Sequence, residues 1–436
     1  MKKEKSLRKE LAARKFHTPN KLLYWAYHFI GKYIVMPKYN YTYTVKDDIN
    51  DCEGPCFLIW NHLSRVDHFY LMEAAYPRRF NMVAGYNEFF RGHLHTVFKM
   101  MKIIPKKNFT QDIAGLRGMN SIISQGGTVC FSPEGMSSIY GTNQPIVPGT
   151  GRFLKHYHLP VYFLKLKGSY LTSTKACLDE RYGKVEGEMQ LLFSAAQLDT
   201  MTDEEVDDAI NAAFRHDDYA WSFEQSLTWK NPGGMCKQLN TICYKCPRCG
   251  AELKMAVEEK GNLLRCTECG NGARVGNDYR FVPLNDTCVL PASPAAWVTA
   301  ERQDIIRQIR ADKAYQFRDF VKIGDMPDDH FMKNKATTEL CGSGVLTFDH
   351  AGIHFEGTRH GTDWKFDLSY SVIFSLVIVT DTTYFGLYVD GEYYEFFPES
   401  CSTGKMLLIT EEMHRLHFNT WKNFPWNAEL YDSEKE

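Results

Sequence analysis

The sequence lacks an apolar run of the length that a transmembrane helix requires. An aromatic-rich candidate, residues 22–36, spans about 15 residues and is interrupted by His28 and Lys32, whereas a spanning helix needs roughly 20 apolar residues. No segment has the pattern of a secretory signal peptide. The 13 cysteines lie at uneven spacings, so we expect a reducing compartment with free or metal-bound thiols, not a disulfide framework.

A strong net charge is also missing, because 51 basic and 53 acidic residues leave the 436-residue chain at −2. With 44% hydrophobic and 24% charged residues, the composition is that of a globular protein long enough for two or three domains. The charge is unevenly placed, since residues 1–46 carry eleven lysines and arginines against two glutamates.

The basic N-terminal stretch surrounds the aromatic-rich segment. A short apolar segment flanked by lysines is typical of a helix that lies in the membrane interface, and anionic head groups attract a basic arm. The alternative is a helix packed on the protein, preceded by a solvated basic tail. We assign residues 1–46 to a membrane-interface segment and expect peripheral or monotopic attachment to the cytoplasmic face of a membrane.

A histidine and an aspartate follow the first strongly apolar segment. Residues 56–60 predict a buried strand, and His62 and Asp67 come directly after it. In one interpretation the carboxylate of Asp67 orients His62 as a general base. In the other, Ser64 and Asp67 form a capping-box pattern, and Asp67 only caps the helix predicted over residues 66–76. The spacing alone leaves both interpretations open.

Three further segments follow this pair in a fixed order: residues 103–108 (IIPKKN), 131–135 (FSPEG) and 159–161 (LPV). Together with the segment around His62 they resemble the four blocks of the glycerolipid acyltransferase family, the H-x4-D enzymes that acylate glycerol 3-phosphate, 1-acylglycerol-3-phosphate and lysophospholipids. The resemblance covers residues 20 to 225. It implies an α/β acyltransferase domain, here assigned to residues 47–230, and a thioester donor, acyl-coenzyme A or acyl carrier protein.

The resemblance also implies a role for each matching residue. His62 removes the proton from the acceptor hydroxyl, and Asp67 orients the ring. The hydroxyl then attacks the thioester, a reaction that needs an adjacent base near neutral pH. The implied substrate-binding residues are Asn61, Lys106, Lys107, Pro133, Glu134 and Gly135.

The sequence departs from the family pattern at the positions that grip the acceptor phosphate. Met136 and Ser137 stand where threonine and arginine are usual, and Lys106 and Lys107 stand where the second block usually has arginine. Arginine and lysine are not interchangeable at a bidentate site. The acceptor can therefore be lysophosphatidic acid or a lipid with a different or absent phosphate. A catalytically silent lipid-binding or scaffold protein and a hydrolase that releases fatty acid are the alternative functions.

Four cysteines in the middle of the chain form two C-x-x-C pairs separated by 16 residues. They are Cys246, Cys249, Cys266 and Cys269. Four thiolates on two tight turns predict a structural Zn²⁺ in a ribbon over residues 240–285, with iron of the rubredoxin type as the alternative. Because the flanks lack a dense basic patch and carry Glu252, Glu258 and Glu259, we expect contact with protein, not nucleic acid.

The last third of the sequence changes to a strand pattern. A helical linker is predicted over residues 296–325, followed by strands at 344–348, 352–355, 372–379, 384–389 and 392–397 and a helix at 402–418. Asp390 and Gly391 predict a hairpin turn. The arrangement resembles a pleckstrin-homology-like or GRAM-like domain over residues 335–425, which implies lipid-head or protein binding; a dimerising or packing β-domain is the alternative. The predicted fold class is multidomain: an α/β acyltransferase domain, a zinc ribbon and a C-terminal β-rich domain.

Overall fold

Residues 6–230, 233–333 and 335–421 are described by a computed structural model. Residues 1–5 of the predicted membrane segment and residues 422–425 of the predicted C-terminal domain lie outside the described residues. The strands form three sheets: a seven-stranded sheet, a four-stranded sheet and a second seven-stranded sheet. They follow one another along the chain, in the order expected for an α/β domain, a cysteine-containing ribbon and a β-rich domain.

The first sheet is mostly parallel, as the alternation of predicted strands and helices indicated. Its strands are β1 Tyr41–Val45, β2 Cys56–Trp60, β3 Phe80–Gly85, β4 Ile104–Lys106, β5 Thr128–Phe131, β6 Val161–Lys167 and β7 Val185–Phe193. The order is β1-β7-β6-β2-β5-β3-β4, and β1 and β7 run opposite to the other five strands. The sheet thus begins at Tyr41, before the predicted domain boundary at residue 47. Strand β2 is buried at every position because helices cover both faces of the sheet.

Ten helices accompany this part of the chain in the described residues. They are α1 Leu7–Ala12, α2 Lys21–Ile30, α3 Asp67–Ala75, α4 Gly92–Met100, α5 Ile113–Ile123, α6 Thr150–Tyr157, α7 Ser169–Thr172, α8 Ala195–Thr200, α9 Asp203–Phe214 and α10 Asp218–Glu224. Helix α9 begins with a complete capping box of Thr202 and Glu205, which explains why the acidic start and apolar spacing predicted it well.

Helix α2 packs one of its faces on the α/β domain. Tyr24 and His28 are buried in this face, and Nε2 of His28 lies 2.7 Å from Oε2 of Glu73 on α3. The helix continues through a π-helical turn at Gly31, where a methyl group would come within 2.5 Å of the ring of Phe69. The close approach therefore requires glycine at this position.

The opposite face of α2 and its continuation leaves large apolar side chains in contact with solvent. Leu22 is 69% exposed and Ile34 is 62% exposed. The same surface includes Leu23, Trp25, Phe29, Ile30 and Tyr33. In the described part of the chain, no helix has the length and apolar character needed to cross a membrane. The segment thus packs on the domain and presents an apolar surface on its outer side, and its placement in a membrane interface stays a prediction.

The second sheet contains the cysteine pairs and follows in sequence after α10. Its strands are β8 Met255–Glu258, β9 Leu263–Cys266, β10 Gly272–Val275 and β11 Phe281–Pro283, in the order β11-β10-β9-β8 with antiparallel neighbours. The ribbon is held to the rest of the chain by charged side chains. Lys245 pairs with Asp304, and Glu252 pairs with Lys405 of the C-terminal helix.

The third sheet is antiparallel throughout and confirms a β-rich C-terminal domain. Its strands are β12 Gln316–Asp325, β13 Glu339–Asp349, β14 Ile353–Arg359, β15 Thr362–Leu368, β16 Val377–Ile378, β17 Phe385–Val389 and β18 Glu392–Pro398, in the order β15-β14-β13-β12-β18-β17-β16. Helices α11 Pro294–Ala311 and α12 Thr403–Phe418 pack beside it. The pleckstrin-homology-like or GRAM-like assignment stays a prediction.

Two sequence predictions fail in this region. The helical linker over residues 296–325 is wrong in its second half, because β12 forms there and pairs with β13 and β18. Its helical half is not a linker either, since Trp297 and Ile305 of α11 are buried. The strand predicted over residues 372–379 is reduced to the two residues of β16, and β15 was not predicted at all.

A buried arginine connects the C-terminal helices with the α/β domain. Arg302 on α11 donates to Glu412 at 2.8 Å and to Glu411 at 2.6 Å, both on α12. The same guanidinium donates to the hydroxyl of Tyr140 at 3.2 Å. Removing one partner of a buried ion pair costs about 3–5 kcal/mol, so the contact helps to fix how the C-terminal helices lie against the loop that follows β5.

Candidate active site

Polar residues gather where β2, β3, β4, β5 and β6 end at their carboxyl termini, the edge of a parallel sheet at which ligands usually bind. Asn61, predicted to bind substrate, follows β2 directly and is fully buried. Its Nδ2 donates to the carbonyl of Leu166 at 2.8 Å, and its Oδ1 accepts from the N–H of Leu166 at 2.7 Å. The structure therefore places this side chain between two strands, where it fixes the loop that carries His62.

The structure brings His62 and Asp67 together. Nδ1 of His62 lies 2.8 Å from Oδ2 of Asp67, which is the first residue of α3 and is buried. The carboxylate also accepts from the N–H groups of Leu63 and Ser64 at 2.8 and 3.0 Å, and from Ser169 Oγ at 2.5 Å. Asp67 therefore contacts the ring and closes the loop at the same time. The capping interpretation is not confirmed, because α3 has no side-chain cap and the two N–H groups belong to residues before the helix.

Asp67 is charged despite its burial. Burial acts to raise the pKa of its carboxyl group, but the hydrogen bond and the charge interaction with His62, helped by Ser169, lower this pKa below its usual value. The ring of His62 is 28% exposed and lines the main cavity. Within the described residues, Nε2 of His62 has no hydrogen bond, so this nitrogen is available to a ligand.

Glu134 supports the backbone of His62. Its Oε2 accepts from the N–H of His62 at 2.7 Å, and its Oε1 accepts from the N–H of Gln144 at 2.7 Å. The residue is 1% exposed, and burial raises the pKa of its carboxyl group to about 8 although both N–H groups favour the ionised form. The N–H of Ser138 donates to the carbonyl of His62 at 2.7 Å. The loop after β5 therefore forms hydrogen bonds with both the N–H and the carbonyl of His62.

The other predicted substrate-binding residues lie in different places. Pro133, Gly135 and Lys106 line the cavity. Gly135 has a φ of +75°, and a methyl group there would come within 2.6 Å of the Phe109 ring, so only glycine fits. Nζ of Lys106 donates to a backbone carbonyl at 2.8 Å, and burial lowers its pKa. Lys107 instead contacts the C-terminal domain through the carbonyl of Gly391.

The cavity beside His62 has a volume of about 1480 Å³. Its walls are mainly apolar and include Phe80, Phe98 and Phe131 from the α/β domain. The C-terminal domain supplies another wall through Phe374 and Val377, and the rings of Phe374 and Phe109 lie 5.2 Å apart. An apolar chamber of this size suits a long hydrocarbon chain, because each buried methylene contributes about 0.8 kcal/mol.

The cavity also has a cationic region that the sequence analysis missed. Lys175 donates from Nζ to Ser137 Oγ at 2.9 Å, and Arg65 donates from Nη2 to Ser173 Oγ at 2.8 Å. Burial lowers the pKa of Lys175 to about 8. The sequence signal that could have located these cations is the polar segment after β6. Polar segments also follow β2 and β5, which end at the same edge of the sheet.

The four ribbon cysteines are close enough to share one metal ion. The Sγ atoms of Cys246 and Cys269 lie 3.6 Å apart, those of Cys249 and Cys266 lie 3.8 Å apart, and all four lie within 4.8 Å of one another. A tetrahedral zinc with Zn–S bonds of about 2.3 Å requires sulfur separations of about 3.8 Å. The donor set and the spacing therefore both fit a structural metal ion.

A second group of possible metal ligands is better explained as an ion pair. Asp325, Cys341 and His360 offer ligand atoms within 4.8 Å of one another. However, Nη2 of Arg359 lies 2.9 Å from the same carboxylate oxygen of Asp325 that contacts His360. A guanidinium in that position competes with a metal cation for the carboxylate.

The α/β part of the chain resembles a known protein family. Residues 40–163 match the family model described as Acyltransferase. No curated protein matches the sequence. Among solved structures, the 1-acyl-sn-glycerophosphate (LPA) acyltransferase PlsC from Thermotoga maritima matches with a TM-score of 0.38 and 14% sequence identity, over 47% of this chain and 80% of that chain. The residues that the family model matches include β2, the His62–Asp67 pair and the Glu134 loop, so residues 40–163 resemble an acyltransferase domain.

Proposed function

We propose that the protein is a membrane-associated acyltransferase that moves a fatty acyl group from a thioester to the hydroxyl of a lysophospholipid or a glycerolipid-like acceptor. The donor is acyl-coenzyme A or acyl carrier protein. The observation that carries this proposal is the Asp67-oriented ring of His62 at the wall of a large apolar cavity. A base and a hydrocarbon chamber in an acyltransferase-family domain are the parts that lipid acylation needs.

The reaction uses His62 as the general base. Its Nε2 removes the proton of the acceptor hydroxyl while the oxygen attacks the thioester carbonyl. When the tetrahedral intermediate collapses, the carbon–sulfur bond breaks and the imidazolium returns the proton to the leaving thiolate. Asp67 stabilises the imidazolium and keeps its Nδ1 protonated, because its charged carboxylate lies 2.8 Å from that nitrogen.

Product analysis tests this function. The purified protein is incubated with an acyl thioester labelled in the acyl chain and with a panel of phosphate-bearing and phosphate-free acceptors, and the lipids are separated. We expect an acylated acceptor that forms only when an acceptor is present. Free fatty acid without an acceptor would identify a hydrolase. No product with either donor would favour the catalytically silent lipid-binding or scaffold protein.

Glu134 is proposed to position His62. Above a pH of about 8 the ionised carboxylate of Glu134 accepts with both oxygens, whereas Glu134→Gln keeps only one acceptor oxygen and turns its NH₂ group toward one of the two N–H donors of His62 and Gln144. We expect Glu134→Gln to lower kcat by about 10- to 100-fold with little change in the KM for the acceptor. Steady-state kinetics measure both constants, with Glu188→Gln as the control, since Glu188 on β7 is partly buried and pairs with Lys46 away from the cavity. A rise in acceptor KM at unchanged kcat would instead support the acceptor-binding role predicted from the sequence.

The apolar surface of α2 is proposed to insert into the membrane interface at the cytoplasmic face. Trp25 is 48% exposed and Phe29 is 46% exposed on this surface, and full burial of such a side chain contributes about 1.5–3 kcal/mol. We expect the double variant Trp25→Asp, Phe29→Asp to bind anionic liposomes at least about 100-fold more weakly. Co-sedimentation with liposomes measures the effect, and Val282→Asp, at another exposed apolar position, is the control. Unchanged binding by the double variant would contradict this role.

The ribbon is proposed to hold a structural Zn²⁺ through Cys246, Cys249, Cys266 and Cys269. All four ligand positions are filled by thiolates, so the ion has no open position for a substrate. The acidic side chains near the pairs do not favour a nucleic-acid phosphate. We also propose that a protein partner binds through the ribbon or the C-terminal domain, and that the protein does not bind nucleic acid.

A further inference from the structure

The side chain of Lys175 places an ammonium group at the wall of the cavity, and this group has hydrogen-bond donors without a partner in the described residues. Its Nζ donates to Ser137 Oγ at 2.9 Å. In the described part of the chain this is its one hydrogen bond, although an ammonium has three donors. The backbone of Lys175 is fixed by the C-terminal domain, because its carbonyl accepts from the N–H of Asp381 at 3.0 Å. The position of the ammonium is therefore set by both domains.

Arg65 brings a second cation to the same wall of the cavity. Its Nη2 donates to Ser173 Oγ at 2.8 Å and to the carbonyl of Leu178 at 3.0 Å. Both acceptors lie in the segment that carries Lys175, and both cations line the cavity. We call Arg65, Ser137, Ser173 and Lys175 the cationic pocket.

The nearby carboxylates already have other partners. Glu88 forms an ion pair with Arg91, at 2.7 Å between Oε2 and Nε. Glu180 accepts from the hydroxyl of Tyr39 at 3.0 Å and lies 3.4 Å from Nζ of Lys38. Burial lowers the pKa of Lys175 to about 8, and the neighbouring arginines act in the same direction while Glu88 opposes them. The cationic pocket therefore favours the binding of an added anion.

The cationic pocket lies near the backbone of His62, and Lys175, Arg65 and His62 line the same cavity. Ser137 precedes Ser138, whose N–H donates to the carbonyl of His62 at 2.7 Å. With consecutive residues about 3.8 Å apart, the ammonium of Lys175 lies at most about 10 Å from that carbonyl. In a glycerol phosphate the reacting hydroxyl and the phosphate share one three-carbon unit, whereas in coenzyme A the whole pantetheine arm separates the thioester from the phosphates.

We propose that Lys175 and Arg65 bind a phosphate group of the substrate. The proposal rests on the proposed function and narrows the acceptor class to lipids with a phosphate near the reacting hydroxyl. Because the cationic pocket is near His62, we favour the acceptor lipid as the molecule that carries this phosphate. The alternative is that the phosphates belong to the acyl-coenzyme A donor. A phosphate is suited to the pocket because it accepts charge-assisted hydrogen bonds from a lysine and an arginine together.

Equilibrium binding tests the cationic pocket without requiring turnover. Lysophosphatidate and a monoacylglycerol with the same acyl chain are presented in the same non-ionic detergent micelles, and acyl-coenzyme A is titrated separately. We expect Lys175→Met and Arg65→Met each to weaken lysophosphatidate binding by about 10- to 100-fold and to leave monoacylglycerol binding within about twofold. Lys175→Arg keeps the charge and should retain most of the affinity.

The control is Lys165→Met, since Lys165 is also half-buried and donates to a backbone carbonyl at 3.0 Å but does not line the cavity. Weaker binding of acyl-coenzyme A alone would support the pocket and assign it to the donor phosphate. Equal losses for lysophosphatidate and monoacylglycerol, or no loss for any of the three ligands including acyl-coenzyme A, would overturn the proposal. If Lys175→Met does not fold, the same binding measurements on Arg65→Met decide between these outcomes. Absence of an acylated product would count against the proposed function and leave this binding result intact.

Discussion

Alanine at position 62 should reduce the kcat for acyl transfer by about 10²- to 10⁴-fold, the range that a general base contributes. The reason is geometric, because the Asp67 carboxylate holds Nδ1 of His62 and leaves Nε2 without a hydrogen-bond partner in the described residues. Acceptor and donor binding should change little, since the apolar walls and the cationic pocket remain. The measurement is thiol release from the acyl thioester at saturating acceptor.

Two further variants decide whether this loss is catalytic. His156→Ala, on the exposed side of α6, should keep native activity. Asp67→Asn should lose activity and also stability, because an amide NH₂ would face the N–H donors of Leu63 and Ser64. Full activity of His62→Ala would mean that another group takes the proton, and the proposed mechanism would be wrong.

Loss of the ribbon metal should destabilise the protein more than any single surface substitution. The binding free energy of a structural zinc site is about 10–16 kcal/mol in zinc-finger peptides. The ribbon contacts both neighbouring parts of the chain, since the hydroxyl of Tyr279 donates to the carbonyl of Leu171 at 2.8 Å and Glu252 pairs with Lys405. We therefore expect a strong chelator or Cys266→Ser to lower the thermal midpoint of the whole protein.

Metal analysis and calorimetry provide the test. Purified protein should contain about one zinc per chain by the four-thiolate argument. Cys401→Ser, which replaces an exposed cysteine away from the cluster, should keep both the metal and the thermal midpoint. A reduced protein without bound metal and with an unchanged midpoint would contradict the structural zinc.

The sequence predicted the features that depend on short segments. His62 and Asp67 are separated by one loop, and the strand, loop and helix around them were visible from a buried apolar run and a capping pattern. The cysteine pairs were equally local, because each pair occupies one tight turn and the spacing of the ligands reflects the metal geometry. These predictions needed no knowledge of how distant parts of the chain meet.

The sequence could not predict features that arise from distant contacts. Strand β12 follows a long helix, and its identity depends on pairing of Phe317 with Phe348 and of Lys322 with Phe397, so the local pattern was insufficient. Lys175 had no motif around it, and only the fold places it beside Ser137. The direction of the Glu134 side chain was also hidden, because the two N–H groups that it binds are 72 and 10 residues away.

The wall that Phe374 and Val377 contribute to the cavity has a consequence for synthesis of the chain. The ribosome makes His62, Asp67 and Glu134 first, but the cavity next to them lacks the wall of Phe374 and Val377 until the C-terminal domain has been made and has packed. The residues of the proposed mechanism thus exist before the apolar cavity is complete. Activity would then depend on completion of the polypeptide, so an unfinished chain would be unable to consume thioester or lipid.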